Sequence, residues 1–444
     1  MLKTGRIFQN PRNNHCMPSN ITTHSKPILA GAIGNCIEVY DYSIYIFFAP
    51  IIAAAFFPPG DMAIAFTFWI YALERFFRPT AAIFISRYVD QHGRSKTLFL
   101  SVIGMIAVGL LMCLLPTYRA IGWAAPVLLL IVRVMQGIMV SSEYVTAMVY
   151  IYEHAPESKK GVMGSVTFVS GIIGSLIASC LSFVIIHNSS HDFLVTWGWK
   201  IPYLFSVIML LASYQLRKNM LETPAFLTLH SPAPTFKQVI STNHTNVIYA
   251  FILTAITAAI YSIFIVFMPS HLITMKHFSM SLTTALTSIN LAFYAIMLLV
   301  MGKLSDHAGW ENVILSGLAG ILLFTYPAYY LLNYTSSTLI LEIVLLTYMI
   351  IIAALNGPLC AYLNSLFPAS ARATSLAISY GISLSLFGGV TPLLCIYLTK
   401  ITGNSNSPAL YLIALAVLTI FVMYFRTARI ENKSPMESSG STTL

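Results

Sequence analysis

Charge is what this sequence has least of. Of its 444 residues only 24 are Lys or Arg and 15 are Asp or Glu, 9% in all, against 57% hydrophobic. A soluble domain carries roughly 25% charge, so a water-soluble globule of this size is excluded and lipid must replace water over most of the surface. Short segments of alternating polarity are also missing, which excludes a membrane-spanning β-barrel. The six cysteines (Cys16, Cys36, Cys113, Cys180, Cys360 and Cys395) have no metal-ligand spacing, and all but Cys16 lie in apolar runs as small packing residues. No phosphate loop, metal cluster or nucleophile constellation is recognisable, so nothing points to an enzyme, a cofactor or a bound metal. Residues 1–26 are polar and lack the short apolar region and cleavage site of a secretory signal.

Long apolar runs are what the sequence does have. They fall at about 28–57, 62–86, 97–116, 123–152, 161–187, 200–217, 246–274, 280–302, 312–332, 338–367, 373–399 and 408–427. Crossing a hydrocarbon core of about 30 Å takes about 20 residues of helix at 1.5 Å each. The expectation is an all-α membrane protein of twelve transmembrane helices.

The net charge of +9 could suggest nucleic acid, but its distribution describes a topology instead. With the N-terminus in the cytosol, about 17 of the 24 Lys and Arg sit near cytosolic ends, among them Lys3, Arg87, Lys159, Lys160, Arg217, Arg372 and Arg429. Only Arg119, Lys200, Lys276 and Lys400 sit near outer ends. That asymmetry is the positive-inside rule, and it places both termini in the cytosol.

The expected organisation is a cytosolic tail (1–26), a six-helix bundle (27–217), a cytosolic linker (218–245) with Pro224, Pro232 and Pro234, a second six-helix bundle (246–427) and a cytosolic tail (428–444), disordered after Arg429. An Asp-x-x-Gly element recurs at the same place in each half, at Asp90–Gly93 and Asp306–Gly309. Parallel repeats of this kind place a substrate site between the halves near mid-membrane.

A charge at the centre of a spanning helix costs about 3 kcal/mol, so each one needs a reason. The first helix carries Glu38 and Asp41, the second Glu74, Arg75 and Arg78, and the fourth Arg133 and Glu143. Glu38 and Asp41 are three apart on one face, and Glu74 and Arg78 are four apart and able to pair. From the rise per residue, Asp41 lies roughly 15–20 Å and Arg75 and Arg78 roughly 12–17 Å from the cytosolic edge, so both signs meet at similar depth.

This suits proton coupling on Asp41 or Glu38 and anion binding on Arg78, with Arg75, Glu74 and Arg133 contributing and either Glu74 or Arg75 structural. Burial disfavours a carboxylate's charged form and an arginine favours it, so a substrate carboxylate competing for that arginine would link the two fluxes. A static charge pair holding helices together is the alternative. Glu143 reads as a structural or gating acid, and Glu342 as a solvated helix terminus. In the second half Tyr261, His271, Asn290, Tyr294, Asn356 and Tyr380 could contact a substrate or bridge helices. Gly161, Gly164, Gly171 and Gly174 indicate close helix packing.

The stretch Ser86 to Lys96 resembles the loop between helices two and three of major facilitator transporters. Further stretches are similar to the metabolite:proton symporter branch, with its proline/betaine, citrate, shikimate and 2-oxoglutarate permeases. They include Gly31 to Asn35 with Glu38, Tyr40, Asp41 and Tyr45, then Arg78-Pro79, Arg133 with Gln136-Gly137, and Glu143-Tyr144. Others are Glu153 with Ala155-Pro156, Trp197 to Pro202, Phe367-Pro368 with Arg372, and Phe387 to Pro392. The pattern is departed from at Ser86, Gln91, Val39, Ser141-Ser142 and Gly381.

The resemblance implies the two-bundle major facilitator fold, a cytosolic gate at Asp90 and Arg94 with Asp306 as its counterpart, and a transport site served by Glu38, Asp41 and Arg78. The expected activity is proton-coupled import of a small carboxylate-bearing metabolite or zwitterionic osmolyte by a monomer in the bacterial inner membrane. Partners would be the solute, protons and lipid, without nucleic acid. The alternatives are an exporter on the same fold, although Gly171-x-x-Gly174 lacks the proline such pumps often carry, and a sensor that binds without transporting.

Overall fold

The computed structural model describes residues 21–437 apart from 61, 93, 142, 218–235, 275, 336 and 369–371; several side chains within helices, including 83–98 and 143, lie outside the described set. The helices are α1 (Ile21–Phe47), α2 (Ala49–Phe56), α3 (Ala63–His92), α4 (Arg94–Leu114), α5 (Ala124–Val140), α6 (Glu143–His154), α7 (Lys160–His187) and α8 (Lys200–Arg217). They continue as α9 (Phe236–Tyr261), α10 (Met268–Thr274), α11 (Met280–Ala308), α12 (Trp310–Tyr334), α13 (Thr338–Ser365), α14 (Arg372–Ser383), α15 (Gly389–Thr402) and α16 (Ser407–Glu437). No strand occurs among the described residues, as a solvent that cannot satisfy backbone groups requires.

Among the described residues eight helices are long and apolar enough to cross a bilayer. A ninth crossing is made if α1 and α2, bent by 63°, count as one. Pro50, in the first turn of α2, has no N–H to continue the α1 ladder. The apolar parts of α4 and α5, Phe99–Leu114 and Ala124–Val140, are shorter. Outward-facing side chains such as Leu114, Leu339 and Ile401 are more than two-thirds exposed, which suits a surface bathed in lipid.

Three helices extend beyond the apolar runs of the sequence. The first helix begins at Ile21, inside the expected tail, and α9 begins at Phe236, inside the expected linker, with a break in its helical geometry at Asn243. The last helix runs past Arg429 to Glu437, because no glycine interrupts it and its first proline after Arg429 is Pro435.

Lipid tails are as apolar as leucine, so helices here associate through close packing and hydrogen bonds rather than water exclusion. The α7 helix shows how. Gly171 and Gly174 face α1, where a Cβ at Gly174 would lie 2.0 Å from the Cys36 carbonyl oxygen. Asn35 donates to the Thr167 carbonyl and to Ser170 at 2.8 Å, and Ser43 and Ser175 share a hydrogen bond of 2.7 Å. On its other side α7 lies along α11: Ser179 meets Ser288 at 2.8 Å and His187 meets Ser281 at 3.0 Å. A Cβ on Gly161 would reach the Ser305 hydroxyl at 2.5 Å. Gly174→Ala is therefore expected to force α1 and α7 apart and destabilise the protein by about 1–3 kcal/mol. Gly381→Ala, with nothing within 4 Å, should leave the unfolding temperature unchanged.

Among the described residues three π-helical turns occur, one at Leu194–Gly198 ahead of α8 and two that join longer helices. Ser262–Phe267 links α9 to α10, and Leu384–Gly388 links α14 to α15. The two turns meet, with the Ser262 hydroxyl donating to the Gly388 carbonyl at 2.6 Å. Wide turns of this kind often mark functional sites, and the second of them packs against α3 just before Gly389 meets Arg75.

Candidate functional site

Most of the buried charge lies on α1, α3 and α5. Glu38 and Asp41 are 5% and 2% exposed, Glu74 and Arg75 1% and 4%, and Arg133 is fully buried. Arg78 donates to Glu38 at 3.2 Å and to Glu74 at 2.8 Å. The second Glu74 oxygen pairs with Arg133, which also donates to Gln136 and stacks over the Tyr45 ring at 4.3 Å. The Tyr45 hydroxyl donates to the Thr67 carbonyl at 2.9 Å. Glu38, Arg78, Glu74 and Arg133 thus form one chain of alternating sign, and its Glu74–Arg133 end is sealed inside the bundle. Asp41 stands beside it, accepting from Ser206 of α8 at 2.7 Å and forming no ion pair among the described residues.

Arg75 is arranged differently. Successive residues on a helix are 100° apart, so Glu74 and Arg78 share a face while Arg75 turns toward α15, where a Cβ on Gly389 would touch the Arg75 Cβ at 3.1 Å. Among the described residues no carboxylate pairs with Arg75. Its guanidinium lies over the rings of Tyr42 (4.7 Å) and Tyr71 (5.0 Å), and its buried Nε has no hydrogen-bond partner among the described residues. Tyr261 of the second half adjoins these rings through Tyr42, and further tyrosines pair between helices. Tyr42 meets Tyr261 at 3.5 Å, Tyr144 stacks on Tyr380 with centroids 5.4 Å apart, and Tyr294 accepts from Asn356 at 2.9 Å. The spacing of Glu74, Arg75 and Arg78 was visible in the sequence, but which of them lacks a partner was not.

The ends of the helices supply further contacts. Asp306, at the end of α11, accepts from the backbone N–H groups of Gly161 (2.6 Å) and Val162 (3.0 Å), so it caps the first turn of α7. A carboxylate at a helix N-terminus is stabilised by both the free donors and the dipole. Arg372 of α14 pairs with Glu153 of α6 at 2.8 Å and donates to the Asn364 carbonyl at 3.0 Å. These contacts tie helices before residue 218 to helices after 235. The side chains of Asp90, Arg94 and Glu143 lie outside the described residues.

Glu342 corrects an expectation. It is not a solvated terminus: it is partly buried and accepts from Asn290 of α11 at 3.2 Å, because α11 and α13 pack face to face. His271 likewise bridges, meeting Asn333 at 3.3 Å. Residues passed over in the sequence, Ser206, Tyr42 and Tyr71, are common types in apolar helices, and nothing in their local pattern distinguishes them.

The Major Facilitator Superfamily profile matches residues 31–392. The chain is 28% identical over 408 residues to the proline/betaine transporter of Escherichia coli, covering 88% of this chain and 81% of that protein. It is also 28% identical over 418 residues to a glycine betaine/proline/ectoine/pipecolic acid transporter of Dickeya dadantii, covering 90% and 82%. The fold matches that of the proton:xylose symporter XylE bound to 6-bromo-6-deoxy-D-glucose, with a TM-score of 0.75 at 15% identity over 91% of this chain and 96% of that one. A buried ionic chain beside a tyrosine-walled arginine, set among long apolar helices, suits a transporter rather than an enzyme. The chain belongs to the major facilitator superfamily, as a multi-pass transporter of the bacterial inner membrane.

Proposed function

We propose that this transporter is a proton-coupled symporter importing a small zwitterion that joins one carboxylate to a methylated or secondary ammonium. The observation that carries the proposal is Arg75: a buried guanidinium with no carboxylate partner among the described residues, in a box of tyrosines between early and late helices. A planar fork of donors in a low-dielectric site suits a carboxylate. One unpaired cation suits a monocarboxylate better than a citrate-like anion. The faces of Tyr42, Tyr71, Tyr261, Tyr144 and Tyr380 suit an alkylated ammonium. The names of the relatives, which include betaine and proline, support the same class.

Arg78, Glu74, Arg133 and Tyr45 form the support beneath this site in this proposal, and Tyr380 is part of its wall. Asp41 is the proton carrier, with Glu38 as its neighbour. The three arginines and three carboxylates balance when Asp41 is ionised. The zwitterion adds no net charge, but its carboxylate at Arg75 cancels the positive field that helps keep Asp41 ionised while its ammonium rests on the tyrosine faces, so substrate and proton bind better together than apart. The bundles 27–217 and 246–427, six helices each with cytosolic termini, rock about the site in alternating access. Asp306 on α7 and Arg372 on Glu153 close the cytosolic side, joined there by Asp90, Arg94 and Glu143, and the unit is a monomer.

The test is uptake of labelled glycine betaine and proline into proteoliposomes under an imposed inward proton gradient. Accumulation is expected, and a protonophore should abolish it. Asp41→Asn should lose accumulation while retaining substrate exchange. Accumulation unaffected by the protonophore would remove proton coupling.

A further inference from the structure

A second polar site lies away from Arg75, between α11 and α13. Asn290 is 6% exposed. Its amide nitrogen donates to the Leu286 carbonyl at 2.9 Å and to Glu342 at 3.2 Å, which uses both hydrogens. Asn290 Oδ1 and the other oxygen of Glu342, Oε1, are both buried and without a hydrogen-bond partner among the described residues. One and two turns back on the same face of α11 stand Thr287 and Thr283. Their hydroxyl hydrogens are given to the carbonyls of Thr283 (2.8 Å) and Ser279 (3.0 Å). Asn290 and both threonines border a small cavity of about 20 Å³ whose remaining lining, from Phe264 and Met268 to Leu345 and Met349, is apolar; Glu342 adjoins it through Asn290.

The donors of this cluster are spent: Asn290 and the threonines offer the cavity oxygen lone pairs, and Glu342 holds its second oxygen, buried, beside Asn290. No basic side chain forms an ion pair with Glu342 among the described residues. Buried acceptors without donors are costly, and a set of carboxylate, amide and hydroxyl oxygens is the ligand set of a hard cation. The charge of the set is −1. A monovalent ion leaves it neutral, whereas a divalent one would leave an uncompensated charge in an apolar surround.

We propose that Glu342, Asn290 and Thr287, with Thr283 at the edge, form a binding site for Na⁺ in the carboxy-terminal half. A single proton on Glu342 would serve at most two of these oxygens, whereas a sodium ion seated beside Glu342 and Asn290 can also draw on Thr287, one turn away. The site is separate from Asp41 and Arg75, and its occupancy can be read without any transport.

The experiment uses the purified full-length protein at fixed ionic strength, with N-methyl-D-glucamine replaced stepwise by Na⁺ or by K⁺. Unfolding temperature and binding of ²²Na⁺ are followed. A saturable rise with Na⁺ is expected, at concentrations at least tenfold below those needed with K⁺. Glu342→Gln and Asn290→Ala should each shift the Na⁺ response by tenfold or more, and Thr287→Val serves if either fails to fold. A wild type that responds equally to both ions, or variants that keep the full Na⁺ response, overturn the proposal. A wild type stabilised by lower pH and indifferent to Na⁺ also overturns it, since Glu342 would then hold only a proton.

Discussion

Replacing Arg75 with leucine is expected to abolish uptake at low substrate concentration while leaving the protein at least as stable as the wild type. The two halves of this expectation have one cause. Arg75 is buried and faces tyrosine rings, and it has no carboxylate partner among the described residues. In the empty protein its charge is poorly compensated, so removing it relieves a desolvation cost rather than breaking a bond. In the loaded protein it holds the substrate carboxylate. Losing a buried, hydrogen-bonded charge partner costs about 3 kcal/mol or more, roughly a hundredfold in affinity. Arg75→Lys keeps the charge but loses the fork and should fall between. The measurement is substrate affinity by scintillation proximity beside the unfolding temperature. Near-normal affinity in Arg75→Leu would take the substrate away from this arginine.

Glu74→Gln is expected to do the opposite, lowering stability by about 3–5 kcal/mol. Glu74 is 1% exposed and is bonded to both Arg78 and Arg133, the second of them fully buried. Without its charge, Arg133 becomes a buried cation left, among the described residues, to Gln136 and the Tyr45 ring. The double variant Glu74→Gln/Arg133→Leu should recover part of the loss, because a buried pair replaced as a whole costs far less than one broken in half. Thermal unfolding of the three proteins checks this. A single variant as stable as the wild type would show that the ionic chain is not what holds α3 to α5. The two predictions separate two buried arginines that composition treats alike: Arg75, without a carboxylate partner among the described residues, and Arg133, held by Glu74.

Local arithmetic was enough for part of this site. The four-residue spacing of Glu74 and Arg78 predicts their 2.8 Å contact, and the small residues of α7 predict its close approach to α1. The contacts that matter most are not local. Glu38 reaches Arg78 across 40 residues and Arg133 reaches Glu74 across 59. The intact face of α3 that carries Arg75 acquires its meaning only when α15 packs on it. Glu342 was misjudged for the same reason. Depth along one helix says how far a side chain stands from the water, and nothing about the neighbour that covers it.

By itself the sequence determined the solvent, the helical class and the family of this protein. Those rest on hydropathy summed over twenty-residue windows and on short motifs, which need no knowledge of neighbours. The fold decided which buried charges neutralise one another, leaving, among the described residues, Arg75 without a carboxylate partner and two buried oxygens, at Glu342 and Asn290, without donors. Electrostatic pairing is settled within about 4 Å, and only the packing of helices distant in sequence brings side chains that close.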